Sequence, residues 1–196
     1  MTSVTTHYSI DSILETLRSY TGDAIAQSDT VMSYEQLLDQ VARLSSFLKT
    51  RITRGAVVAV VNTGSPETCV AFLSILHAGG VALLVDSSWS PEWRDIVLGD
   101  AHPEYILSHD AETFGNSEHD EVTDMYLSRY SQVPTILGTD AAYLIYTSGT
   151  TGKPKGVINS AQGLANLFFA VQSLFALTPA DAVLQFSSPS FDAWIW

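Results

Sequence analysis

Two runs of the chain, V-V-A-V-V at 57–61 and V-A-L-L-V at 81–85, are apolar at every position. A strand with one face in water alternates apolar and polar side chains, so a strand without alternation must be covered on both faces. The stretch between the runs opens on N-T-G-S-P-E, which supplies a turn, a cap at Ser65 and a proline at the first helical position. It closes on Gly79 and Gly80, so a helix to about Ala78 separates the two strands.

The same alternation continues on either side. Ile10, Ile13, Leu14 and Leu17 stand at helical spacing behind Ser9, and Ser33 with Gln36 has capping-box spacing before Leu37, Leu38, Val41, Leu44 and Leu48. Between them A-I-A-Q-S-D-T-V-M-S reads as two short strands around a polar turn. Pro91 starts another helix, 105–107 and A-A-Y-L-I-Y at 141–146 are strands, G-V-I-N resumes as strand, and G-L-A-N-L-F-F-A-V-Q-S-L-F is helical. The acidic stretch 109–121 reads as a surface loop. The predicted class is α/β, with a mainly parallel sheet flanked by helices.

A hydrophobic content of 46% over 196 residues is enough for a real core. The formal charge of −12 should repel nucleic acid and anionic lipid, so neither nucleic acid nor membrane is expected as a partner. The single cysteine, Cys69, excludes an intrachain disulfide framework and fits a reducing compartment; with no leader-like N-terminus and no apolar run of membrane-spanning length, the expectation is cytoplasmic. Most of the acid lies between Asp86 and Asp124, read as a solvated flank. From Tyr130 onward the only bases are Lys153 and Lys155.

Both lysines sit in Y-T-S-G-T-T-G-K-P-K-G-V, residues 146–157. No large apolar side chain lies between Thr147 and Gly156, so the stretch can bury almost nothing. It is either a flexible linker or a ligand cradle. A glycine-rich turn after a buried strand lets backbone N–H groups converge on an anion, and the hydroxyls and lysines add donors and charge. The spacing is not that of a Walker loop, because only Thr150 and Thr151 separate Gly149 from Gly152-Lys153 and no Ser or Thr follows that lysine. Asp192, near the end of an apolar strand, reads on its own as a helix cap or an exposed turn residue. The five histidines have no partner at informative spacing and are assigned surface or cap roles.

The twelve-residue string resembles the signature of the AMP-forming adenylating enzymes, the superfamily of acyl-CoA synthetases, luciferases and the adenylation domains of nonribosomal peptide synthetases. M-S-Y-E-Q-L at 32–37 and S-I-L-H-A-G-G-V-A-L-L-V-D at 74–86 resemble further elements of that family, and S-P-S-F-D-A-W-I-W at 188–196 resembles a segment of its peptide-synthetase branch. The chain departs from the family pattern at His77, where lysine is usual, and at S-A-Q-G, 160–163, where relatives commonly read T-H-R-G.

The resemblance implies an ATP-dependent, amino-acid-activating ligase. Ser148, Thr150, Thr151, Gly152 and Lys155 would hold the ATP phosphates, with Thr147, Gly149, Lys153 and Gly156 shaping the loop. Asp192 would pair with the α-amino group of the substrate, and Ala193 and Trp196 would line its side-chain pocket. The resemblance further implies Mg2+ with the nucleotide, and a peptidyl carrier domain whose phosphopantetheine thiol takes the activated acyl group. The family's magnesium glutamate, ribose aspartate and catalytic lysine have no match here, so residues 1–196 are expected to be the N-terminal part of an adenylation domain, inactive alone and with no catalytic or metal-binding residue of their own. Two other readings stay open: a catalytically inactive remnant acting as a binding module, and a fragment of an acyl-CoA ligase.

Overall fold

The computed structural model describes residues 9–110, 117–121, 123–147, 153–178, 180–188 and 190–195. Helix α1 (Ile10–Arg18) precedes a hairpin of β1 (Asp23–Gln27) and β2 (Thr30–Ser33), and α2 (Tyr34–Lys49) follows directly. Both helices open with reciprocal capping boxes, Ser9 with Ser12 and Ser33 with Gln36. Each satisfies two backbone donors that would otherwise face solvent, a contribution of about 1 kcal/mol per cap.

The predicted strand–helix–strand unit forms as β3 (Val57–Asn62), α3 (Pro66–Ala78) and β4 (Val81–Asp86). Gly79 ends α3 in the left-handed conformation with φ 86°, which glycine adopts without strain. Ser65 holds the N-cap position of α3, but its side chain makes no capping bond and its buried Oγ has no partner among the described residues. Helix α4 (Pro91–Ala101), capped by Ser90, then leads to β5 (Tyr105–Ser108).

Seven strands make one sheet in the order β6-β7-β5-β3-β4-β8-β9, with β6 Ser117–Asp120, β7 Met125–Arg129, β8 Ala141–Thr147 and β9 Lys155–Ser160. The four central strands, β5, β3, β4 and β8, are parallel, while β7, β6 and β9 add antiparallel edges. The all-apolar runs are explained by what covers them. Val58, Val60, Ala82 and Leu84 pack under α1, α2, α3 and α5 (Ala161–Leu174), whereas Val57, Ala59, Val81 and Leu83 pack against Val97, Leu98 and Ala101 of α4.

Three expectations change. Part of the stretch read as a surface loop is β6, whose S-E-H-D sequence has no apolar alternation because backbone pairing with β7 holds it at the sheet edge. The acidic flank is not solvated throughout, since Glu104 is 2% exposed and Asp120 4%. Glu104 accepts from Thr53 N at 2.6 Å and Thr53 Oγ1 at 2.9 Å and pairs with Arg129 at 3.5 Å. Finally, the apolar run before Asp192 forms no strand: Val183, Leu184 and Phe186 are exposed, and Asp192 begins a short 3-10 turn, Asp192–Ile195.

Candidate functional site

The parallel strands end along one edge of the sheet, the edge where open α/β sheets bind ligands. Asn62 pairs with Asp86 in the β3–β4 ladder, and Leu83 pairs with Leu144 in the β4–β8 ladder, so the ends of β4 at Asp86 and of β8 at Thr147 lie side by side. Strand β9 returns antiparallel with Thr147 opposite Lys155 and Tyr146 opposite Gly156. The glycine-rich stretch therefore begins at the carboxyl end of a buried strand and ends on the strand paired with it. Ser148, Gly149, Thr150, Thr151 and Gly152 lie outside the described residues.

The described ends of the loop carry its charge into solvent. Thr147, Lys153, Lys155 and Gly156 are exposed, and among the described residues neither lysine enters an ion pair. In a chain of net charge −12, two uncompensated ammonium groups beside a strand end favour an anion. Gly156 has a packing reason of its own. A Cβ there would stand 3.1 Å from Tyr146 Cζ and 3.2 Å from Tyr146 Oη, because the Tyr146 ring lies across it. That hydroxyl donates to Asp100 Oδ2 at 2.6 Å, and burial, together with the Asp100 carboxylate, pushes the Tyr146 phenol well above its ordinary range.

Asp192 reaches the same edge from the other end of the chain. A recess of about 330 Å³ is lined by Thr147 and Asp192 together with Trp89, Trp93, Tyr146 and Ser190. Burial, and next the charge of Asp192, raise the Tyr143 phenol. Thr147 and Asp192, taken from opposite ends of the sequence motifs, are thus brought to one cavity. Ala193 is exposed in the same 3-10 turn and does not line this recess; Trp196 lies outside the described residues.

Sequence reasoning passed over the residues that build the walls. Asp86 anchors the turn before Asp192 through Ser188 and Ser190, and Trp89 and Trp93 stack edge to face, ring centroids 6.4 Å apart, on the recess wall. The signal for Asp86 was its place at the carboxyl end of an all-apolar strand, followed by two serines. A larger cavity of about 960 Å³ has Cys69, Phe72, Phe168 and Trp194 in its walls. Burial, and to a smaller degree Glu67, push the Cys69 thiol up to about 11, so it is protonated at neutral pH. Among the described residues no group of three or more His, Cys, Asp and Glu side chains comes together as a metal site, and no helix is long and apolar enough to cross a membrane.

Known proteins resemble this chain over most of its length. The family model for AMP-binding enzyme matches residues 15–196. Bacitracin synthase 3 of Bacillus licheniformis is 34% identical over 181 residues, an alignment covering 87% of this chain and 3% of that protein. The nonribosomal peptide synthetase FmoA3 in its AMPPNP-bound form superposes with a TM-score of 0.75 at 28% identity, over 97% of this chain and 21% of that one. Its form bound to alpha-methyl-L-serine-AMP gives a TM-score of 0.76 at 29% identity, over 95% and 21%. The chain thus spans only a small part of the length of the relatives it matches.

Proposed function

The chain belongs to the AMP-binding enzyme family, and from that premise we propose that it is part of an ATP-dependent, amino-acid-activating adenylation domain of the nonribosomal peptide synthetase kind. The observation that carries the reading is the recess in which Thr147, at the mouth of the glycine-rich loop, and Asp192 line the same walls. A phosphate-binding loop and an ammonium-binding carboxylate are the two ends that such a reaction must hold near each other. FmoA3 has been solved with AMPPNP and with an aminoacyl adenylate, which supports the same pair of ligands here.

In the proposed reaction an amino-acid carboxylate oxygen attacks the α-phosphorus of ATP, the bond to the bridging oxygen breaks, and pyrophosphate leaves with the electron pair. Catalysis of this kind is positioning and charge neutralisation. Residues 147–156 would cradle the β- and γ-phosphates: Ser148, Thr150 and Thr151 by hydroxyl donors, Gly149 and Gly152 by close backbone approach, Lys153 and Lys155 by charge. Asp192 would accept from the substrate ammonium, with Ala193 and Trp196 near its side chain. Mg2+ would enter with the nucleotide and supply phosphate charge neutralisation when bound. The acyl adenylate would then pass to a phosphopantetheine thiol on a peptidyl carrier domain, with release of AMP.

The test is amino-acid-dependent ATP–pyrophosphate exchange in the full-length protein that carries this chain, scanned over the twenty proteinogenic amino acids. Exchange driven by one amino acid and not by its des-amino analogue is expected. Exchange driven equally well by both sinks the assignment of an α-amino-acid substrate.

A further inference from the structure

Ser188 lies on the wall of the larger cavity and Ser190 on the wall of the smaller. One carboxylate bonds to both serines. Asp86 Oδ1 serves its own strand end, accepting from Ser88 N at 2.8 Å and Ser88 Oγ at 2.6 Å. Asp86 Oδ2 reaches more than a hundred residues along the chain, accepting from Ser188 Oγ at 2.5 Å and Ser190 Oγ at 3.5 Å. Helix α4 makes no demand on this group, because Ser90 caps it.

From the turn the connections run on to the recess. Ser190 N–H donates to Ser188 Oγ at 3.3 Å, Phe191 N–H to the Ser188 carbonyl at 2.9 Å, and Trp194 N–H to the Phe191 carbonyl at 3.1 Å. The Trp194 ring packs edge-on to Phe72 with centroids 5.7 Å apart. Asp192 sits exposed inside this chain of bonds, and among the described residues its side chain makes no hydrogen bond of its own to fix the segment.

We infer that Asp86 is a positioning residue: its Oδ2 holds Ser188 and Ser190 against the carboxyl end of β4, and so sets Asp192 beside Thr147 in the smaller recess. The inference rests on the amino-group role proposed for Asp192. Burial pushes the Asp86 carboxyl upward, but the hydrogen bonds from Ser188, Ser88 and Ser190 outweigh it and hold the group below the usual carboxylate range. It is therefore ionised at neutral pH, and an ionised acceptor makes the stronger bond.

Two routes of removal test the tether. Asp86→Ala takes away the acceptor, and the Ser188→Ala/Ser190→Ala pair takes away the donors while leaving β4 untouched. Both should speed amide exchange across 190–195 by about tenfold, the loss of one charge-assisted bond, with the amides of Val81–Val85 protected as in wild type. The Trp194 indole N–H resonance should move in both, and Ser188→Thr, which keeps the hydroxyl, should restore it. In the full-length protein the KM for the amino acid that best drives exchange should rise about tenfold, with the KM for ATP within about twofold of wild type. Unchanged exchange at 190–195 in both variants overturns the tether. A loosened segment with an unchanged amino-acid KM, where Asp192→Ala does raise it, overturns the positioning of Asp192. If Asp192→Ala itself leaves that KM unchanged, the amino-group role fails instead, and amide exchange alone decides the tether.

Discussion

Tyr146 donates its hydroxyl to Asp100 at 2.6 Å, and it reaches that partner only because residue 156, opposite it in the ladder, has no side chain. The bond ties the strand that enters the glycine-rich loop to helix α4. Gly156→Ala places a Cβ about 3.1 Å from the ring, so the ring or the strand must give by a few tenths of an ångström. We expect a loss of roughly 1–2 kcal/mol from this overpacking, measured by chemical denaturation. In a Tyr146→Ala background the loss should shrink to what the 3.2 Å approach to Leu144 Cδ1 leaves, a coupling that a double-mutant cycle reads directly.

The same tyrosine gives a high-pH signature. Its folded-state pKa is raised by burial and by Asp100, so folding favours the protonated phenol. Stability from this source is fully present below the unfolded tyrosine value of about 10 and falls as pH rises above it. Tyr146→Phe should flatten that part of the stability curve. An unchanged slope between pH 9 and 11, on the order of the range where unfolded tyrosine titrates, rules the assignment out.

At the acid end the corresponding group is His77. Its Nδ1 lies 3.1 Å from Ser45 Oγ, and burial, then Lys49, lower its pKa, with Asp11 opposing and Arg18 reinforcing. Because the folded protein holds this proton less tightly, its contribution is present above the unfolded value of 6.5 and is lost as pH falls below it. The melting temperature of the wild type should drop more than that of His77→Gln between neutral pH and mildly acidic pH. Parallel curves would exclude His77 as the source.

How far the sequence revealed the fold depended on what each side chain reports. The all-apolar runs of β3 and β4 announced their burial on both faces, and Ser33 with Gln36 announced the start of α2, because these elements are specified by their own residues. Strand β6 was invisible, since its backbone ladder to β7 holds it and its side chains carry no pattern. Pairing across long separations was likewise unreadable: nothing at Asp86 names Ser188, and nothing at Glu104 names Thr53. Within S-A-Q-G, Ser160 Oγ caps α5 by accepting from Gly163 N at 3.0 Å. Of the candidate site, the strands on either side of the loop were legible, while the sharing of one recess by Thr147 and Asp192 required the folded chain.

Glu104 offers the sharpest test of the buried polar framework. Its carboxylate is the partner of Thr53 N–H and hydroxyl and of Arg129, and only 3% of the side chain meets solvent against 39% for Arg129. Glu104→Ala leaves buried donors without an acceptor, a cost of about 2–4 kcal/mol. Arg129→Ala should cost less, about 1 kcal/mol, because that partner is partly in water. Denaturant midpoints that rank the two variants the other way would show that the Thr53 contacts carry little of the stability.

The last prediction separates the two ends of the proposed site. Lys155 stands opposite Thr147 at the mouth of the loop, whereas Asp192 lies on the wall of the recess. Lys155→Ala removes charge from the phosphate end and should raise the KM for MgATP, leaving the amino-acid dependence alone. Asp192→Ala removes the ammonium partner and should leave nucleotide use nearly intact. A charge-assisted hydrogen bond is worth roughly 1.5–3 kcal/mol, which corresponds to a loss of about tenfold to a few hundredfold in kcat/KM for the amino acid. Exchange kinetics in the full-length protein, with ATP and amino acid varied in turn, give both numbers. The two losses should fall on different substrates. If Asp192→Ala activates the amino acid as wild type does, the carboxylate is a turn residue, and the shared recess does not bring the two reacting ends together.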